Sequence, residues 1–376
     1  MSKVQVITTA QADTWHAVLK SIARYDVYHL PEYHAVAETA GEGTAGLFVF
    51  QGGAYTIALP LLLRPMPEIA GAPPSSAGCF DATSVYGYAG PIGSHELIPH
   101  DVVQSFQIAL HAELLQRRVI SVFSRLHPFF PHAALLAGLG ECPAQRRTVS
   151  IDLTQSVQQQ KAGYRQNHRE GIAKLIRKGL TVVHDAEGQY LDDFRTIYWE
   201  TMRRVGASSG YFFSPEYFTQ LWQKLRDHVH LFVVLHERVP LCAALFFECQ
   251  GIVQYHLGGT RDSSRKLAPM KLLVEAAREW SVACGARVLH LGGGATALPD
   301  DPLLHFKIGF SERLHDFAVW RWVLVPEVFE RLCQAQADGN ERKGLCESQI
   351  DFFPRYRCPT RPRVPDDAAL LAEAQA

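Results

Sequence analysis

Apolar and polar positions along the chain alternate between two periods, and each switch marks an element. Residues 13–23 place Trp15, Val18, Leu19 and Ile22 on one face at helical spacing. Residues 31–38 read as a second helix, with Pro31 in its first turn. Two apolar runs, 47–51 and 54–64, flank Gly52-Gly53 and predict a β-hairpin. A proline-marked loop (Pro65, Pro67, Pro73, Pro74) follows, then a helix over 99–117 and strands over 119–125 and 148–153. Residues 156–178 read as one basic helix closed by Gly179.

The second half repeats the order. Helices are predicted at 191–205 and 215–227, strands at 229–236, 241–249 and 252–258, a helix at 269–284 and a strand at 287–291. Small features repeat too. The run from Tyr28 to Tyr33, ending Pro31-Glu32-Tyr33, is echoed by Tyr211 to Tyr217, ending Pro215-Glu216-Tyr217, and each opens a helix that precedes a hairpin. Matching order and matching detail favour an internal duplication.

A length of 376 residues suits two domains of roughly 150–190 residues. The expected division is 1–155, a basic linker helix at 156–179, a second domain at 180–335 and a polar tail at 336–376. A net charge of −1 argues against a general nucleic-acid binder. No apolar run reaches the roughly 18 residues that span a bilayer, and the N-terminus lacks a signal-peptide layout, so a cytoplasmic protein is expected. The eight cysteines form no C-x-x-C pair, so neither zinc nor a disulfide framework is expected. No P-loop or G-x-S-x-G motif is present.

Candidate chemistry concentrates late in the chain. Leu257-Gly258-Gly259-Thr260-Arg261 leads to a polar loop, a Pro-started helix, a strand, Gly292-Gly293-Gly294 and finally Phe306-Lys307-Ile308-Gly309-Phe310. Lys307 between Phe306 and Phe310 is the candidate for stabilising a developing oxyanion, the rings excluding water. The alternative is an amphipathic helix with Phe306, Ile308 and Phe310 inward and Lys307 solvated. Arg261, Arg265, Lys266 and Lys271 surround the helix start at Pro269, where free N–H groups and cations attract phosphate. The alternative there is a solvated basic loop. The helix from Lys161 to Lys178 carries six cations against Glu170 and would track a phosphate backbone, unless those charges are merely solvated. Tyr255 and His256 alternate on a strand, so only one faces the site, and His256 is a candidate proton acceptor.

Several segments in order resemble the FemAB-like transferases, built from two GNAT-type acyltransferase domains. The run from Asp81 to Pro91, with Tyr86, Gly87, Tyr88 and Gly90, resembles their aromatic-Gly-Pro signature. Tyr164 to Arg169, continuing to Lys178-Gly179-Leu180, is similar to the basic linker helix, and Tyr198 to Gly206, with Met202-Arg203-Arg204-Val205, to the first helix of the second domain. Residues 258–310 resemble the donor region with its closing F-K-x-x-F. The resemblance spans about 28–325.

It implies an α/β (α+β) fold of two tandem GNAT-like domains, each a mixed, mostly antiparallel sheet flanked by helices. The implied enzyme is an acyltransferase forming amide bonds by direct aminolysis. It would hold no permanent cofactor and take aminoacyl-tRNA or acyl-CoA as co-substrate, with an amine on a cell-envelope precursor or specialised metabolite as acceptor. A catalytically silent binding module is the reading from another class. Donor binding would fall to Gly259, Arg261, Arg265, Lys266 and Lys271, and acceptor binding to Asp81, Tyr86, Tyr88, Arg203 and Tyr255. Two departures stand out. Residues 31–40 hold no lysine where Fem ligases place a phosphate-binding one, and the GNAT loop Q/R-x-x-G-x-G/A becomes Arg265-Lys266-Leu267-Ala268-Pro269-Met270.

Overall fold

The computed structural model describes residues 3–130, 133–296, 300–348 and 351–362. The first half runs β1 (Val4–Ile7), α1 (Ala12–Lys20), α2 (Pro31–Thr39), β2 (Thr44–Gly52), β3 (Tyr55–Pro65), β4 (Phe80–Thr83), β5 (Ile92–Gly93), α3 (His100–Gln116), β6 (Val119–Arg125), α4 (Ala133–Leu136) and β7 (Ala144–Asp152). The second runs α5 (Val157–Ala162), α6 (Gln166–Arg177), β8 (Thr181–Asp185), α7 (Leu191–Arg204), α8 (Pro215–Lys224), β9 (Val229–His236), β10 (Val239–Cys249), β11 (Ile252–Thr260), α9 (Met270–Ala283), β12 (Val288–Gly293), α10 (Pro302–Ile308) and β13 (Leu314–Val323). After it come α11 (Pro326–Arg342) and a small ribbon of β14 (Leu345–Glu347) and β15 (Thr360–Pro362).

One mixed sheet carries both halves in the order β1-β2-β3-β4-β6-β13-β7-β12-β11-β10-β9-β8, with β5 against β3. The two ends mirror each other. β2–β3 and β9–β10 are the antiparallel hairpins, and β4–β6 and β11–β12 are the parallel pairs. The closing strands are exchanged: β7, from the first half, pairs with β12, while β13, from the second, pairs with β6. The expected boundary at 155 therefore divides the sequence without dividing the sheet. The tail expected from 336 is built in as well, because Tyr356 packs in a core cluster with Ile120 and Leu332.

Apolar burial explains the join. One core cluster takes Trp15, Leu19 and Tyr33 from the first half together with Phe194, Phe218 and Leu221 from the second. The echoed motifs meet inside it, with α2 against α8, and the Tyr33 hydroxyl donates to the Tyr86 carbonyl at 2.7 Å. Burial of this kind contributes about 25 cal/mol per Å² of apolar surface.

The basic stretch 156–178 is two helices. Its break at Gly163-Tyr164-Arg165 is fixed from outside: Arg165 N donates to Gly309 O and the Tyr164 hydroxyl donates to Glu275 at 2.6 Å.

Gly259 belongs to packing. A Cβ there would stand 2.7 Å from the Ile197 carbonyl oxygen and 2.7 Å from Thr201 Oγ1, so glycine lets α7 lie directly on β11. Gly259→Ala is expected to cost about 1–3 kcal/mol, read as a lowered Tm, because backbone must move to admit the methyl.

Candidate active site

Lys307 is drawn inward by its own short helix. Asp301 caps α10 by accepting from Leu304 N at 2.8 Å, and Pro302 starts the first turn. Leu304 and Lys307 then share the buried face at i, i+3 spacing. Lys307 is 8 % exposed as a residue, and its ammonium donates to the Gly293 carbonyl at 2.7 Å and stands 5.5 Å from the centre of the Tyr255 ring. Burial holds its pKa down at about 7, from the ordinary 10.5, against the pull of Asp301.

Phe306 and Phe310 do not wall the lysine in. Both rings pack on His168, and Phe310 also meets Tyr164, because they occupy the opposite side of the helix end. Tyr88 takes that place. A Cβ on Gly292, which holds φ +74, would lie 3.3 Å from Lys307 Nζ and 3.8 Å from the Tyr88 hydroxyl. Burial pushes the Tyr88 phenol up to about 12, with Arg125, Gly293 and Arg146 pulling it down and Tyr211 adding to the rise. Lys307, Tyr88, Tyr255 and the Gly292-Gly293 backbone thus converge from four separate segments.

Strand geometry leaves room beside them. β11 and β12 pair at Ile252/Val288, Val253/Leu289 and Gln254/His290, after which β11 continues with β10 and β12 with β7. The strands part at Tyr255, on the side of Lys307. His256 points the other way, among Tyr33, Tyr86 and Phe247, and burial takes its pKa down to about 3. It is a neutral imidazole on the far face from the lysine.

Other candidates are spent elsewhere. Asp81 is fully buried, accepting from Arg64 Nε at 2.6 Å, Tyr356 at 3.3 Å and Arg357, so it ties the C-terminal segment down. Arg261 donates to the Pro240 carbonyl and to Asp193. Arg203 is exposed on α7, and its neighbour Arg204 makes the bonds to Thr260 O and Asp262. Tyr86 lies at the mouth of the aromatic region, against Tyr211 and Phe213.

At the start of α9, the N–H groups of Lys271, Leu272 and Leu273 donate to the carbonyls of Ala268 and Pro269 and are not free. Ala268 still holds the left-handed conformation, φ 52 and ψ 51, that a glycine would adopt, so the loop keeps its turn without the residue expected for it. Arg265 and Lys266 are exposed there, while Lys271 Nζ bonds the Asn167 carbonyl at 3.0 Å across Gly171. On the adjoining α5 and α6, Lys161 is paired with Glu275 and Arg165 with His305, leaving Arg169, Lys174, Arg177 and Lys178 exposed.

A buried polar chain reaches the site from the first half. Asp26 accepts from Val27 N, His127 Nε2 at 2.9 Å and Gln254 Nε2 at 2.7 Å. With its amide nitrogen committed to a carboxylate, Gln254 presents Oε1 to His290 Nδ1 at 2.5 Å. That bond requires a proton on Nδ1, so His290 Nε2 is a buried acceptor with no hydrogen-bond partner among the described residues. The His290 ring packs against Tyr88, and burial with the fields of His127, Lys307 and His315 keeps it neutral. Asp26, His127, Gln254 and His290 were not singled out in the sequence, whose only trace of them is a polar Gln in an apolar strand.

An apolar pocket of about 110 Å³ between Arg24, Ile98 and Phe130 is lined by none of these residues. Among the described residues no cluster of metal-ligating side chains occurs and no helix is long and apolar enough to cross a membrane.

Comparison with known proteins agrees with this architecture. Residues 162–307 match an acetyltransferase (GNAT) domain, a segment that ends on Lys307. No curated protein matches the chain in sequence. Among solved structures, FemX aligns with TM-score 0.63 and 13 % identity, over 87 % of this chain and 99 % of its own. L-PGS from Bacillus licheniformis aligns at 0.52 and 14 %, over 86 % and 96 %. A C-terminal domain assigned to a lysylphosphatidylglycerol synthetase from Agrobacterium fabrum aligns at 0.50 and 13 %, over 84 % and 92 %. Two mirrored halves, a parallel pair that parts beside a buried lysine and the matched domain lead to one conclusion: the chain has a FemAB-like fold and carries a GNAT-type acyltransferase domain over residues 162–307.

Proposed function

We propose that the protein transfers an aminoacyl group from charged tRNA to an amine, with Lys307 polarising the carbonyl. The observation that carries this reading is the buried Lys307 ammonium facing Tyr255 and the Tyr88 hydroxyl where β11 and β12 part. The amine nitrogen attacks the ester carbonyl, whose oxygen gains charge near Lys307. Collapse expels the ribose oxygen, which takes a proton as the amide forms and the amine loses one. The acceptor would be a cell-envelope precursor or specialised metabolite. The exposed Arg265 and Lys266 at the start of α9, with Arg169 and Lys174 on α6, supply a cationic approach for a phosphodiester chain. The synthetase domain that shares the fold is named for a lysylated lipid, which is in keeping with aminoacyl transfer on this architecture.

A second reading keeps the reaction and takes acyl-CoA, and the match of residues 162–307 to an acetyltransferase domain favours it. Mass spectrometry of products from the purified chain with a panel of charged tRNAs, acyl-CoAs and primary amines separates the two. An amide product that ribonuclease abolishes is the expected result. Thiol release from acyl-CoA with product unaffected by ribonuclease would replace the donor.

A further inference from the structure

Arg125 ends β6, where the first half's own parallel pair parts, and sequence reading passed over it. Its guanidinium lies 5.7 Å from the centre of the Tyr86 ring and 5.8 Å from that of Phe123. Among the described residues it makes no ion pair and no side-chain hydrogen bond, while its backbone N–H is held by Ser84 Oγ. The neighbouring cations are committed: Arg64 to Asp81, and Arg146 to the Ala295 carbonyl. The acid in its field, Glu42, is pushed up by burial and pulled down by Arg64 and then Arg125, yet forms no ion pair with it. An arginine fixed by two rings keeps its planar fork oriented and its five donors open.

Tyr86 and Tyr88 join this arginine to the transfer point. The two residues span at most about 7 Å of chain. Tyr86 is stacked by Arg125, and the Tyr88 hydroxyl and Lys307 Nζ both face the position a Cβ on Gly292 would take, at 3.8 and 3.3 Å. Tyr211, 38 % exposed, covers the outer edge of Tyr86.

We infer that Arg125 anchors an oxyanion, carboxylate or phosphoryl, carried by the acceptor, holding the acceptor's amine toward Lys307. The inference rests on the transfer reading above and names the acceptor class: amines that also bear an anionic group. Arg125 supplies two parallel N–H donors to that group, and Tyr86 supplies a flat wall.

The test compares glycylglycine, its C-terminal amide and phosphoethanolamine as acceptors, using the donor the product screen identifies. Wild type is expected to prefer an anionic acceptor over the amide by about tenfold or more in kcat/KM. Arg125→Met should raise KM for that acceptor about tenfold to a hundredfold with kcat little changed, leave the amide unaffected, and be partly rescued by Arg125→Lys. Preference for glycylglycine or for phosphoethanolamine identifies the anion. No preference in wild type, or an equal loss on charged and neutral acceptors, overturns the inference.

Calorimetric titration of the same probes into Lys307→Met, with and without Arg125→Met, reads binding apart from chemistry. Tighter binding of an anionic probe that needs Arg125 upholds the anchor even if no donor supports turnover. Equal binding of all probes, or none, rejects it even if transfer is real.

Discussion

Lys307→Met should lose transfer by a factor of about 10² to 10³ in kcat while the protein stays folded, because one preorganised charge at a developing oxyanion is worth about that much. Circular dichroism and single-turnover product formation check it together, and retention of more than a tenth of the wild-type rate would remove the lysine from the chemistry. The same burial that aims the ammonium makes it titrate near neutrality, at about 7. If the cationic form acts, the rate with hydroxylamine, an acceptor of low basicity, falls as pH rises through about 7, and this limb is missing in Lys307→Met.

Stability moves in the opposite direction. Below pH 7 folded and unfolded chains both carry the proton, and folding bears the full desolvation penalty. Between about 7 and the ordinary 10.5 the folded chain sheds the proton while the unfolded chain keeps it, so stability rises with pH. Denaturation midpoints of wild type should climb across that window relative to Lys307→Met. Parallel profiles would mean that the lysine is not buried in solution.

Asp26→Ala is expected to destabilise the protein by about 3–5 kcal/mol, the usual cost of removing one member of a buried charged network. Its carboxylate is fully buried and receives Val27 N, His127 and Gln254. Without it, those donors are left unpaired where water does not reach. The effect should extend to the site: the Gln254 amide becomes free to turn, and His290 loses the constraint that protonates Nδ1. Nitrogen chemical shifts of His290 read this, Nδ1–H in wild type giving way to a mixture of tautomers in the variant. A drop under 1 kcal/mol with an unchanged tautomer would show that the chain of bonds does not hold in solution.

The Tyr255/His256 alternation was legible because a strand sends neighbours to opposite faces, whereas Lys307 was singled out by its place between Phe306 and Phe310 and a helical pattern alone would have left it solvated. The duplication was legible for a related reason, since Tyr33 and Tyr217 sit in matching local runs. The polar chain was not. Gln254 and Asp26 stand 228 residues apart, and neither has a neighbour in sequence that announces the other. Arg125 was missed for a subtler reason: what marks it is the lack of a partner, which no local pattern records. The converse misled at Asp81, whose motif is visible but whose carboxylate is claimed by Arg64, Tyr356 and Arg357. Phe306 and Phe310 flank Lys307 in sequence, yet a helix sends adjacent positions about 100° apart, and the neighbours that matter came from Tyr88 and Tyr255.

The traded closing strands bear on how the polypeptide is made. A nascent chain that has emerged as far as residue 155 has β7 in hand but lacks β12 to lay it against, and β6 still waits for β13. Neither half reaches its finished hydrogen-bonding pattern until about residue 323 has left the ribosome. Assembly of both lobes therefore waits on β13, and they mature as a single event.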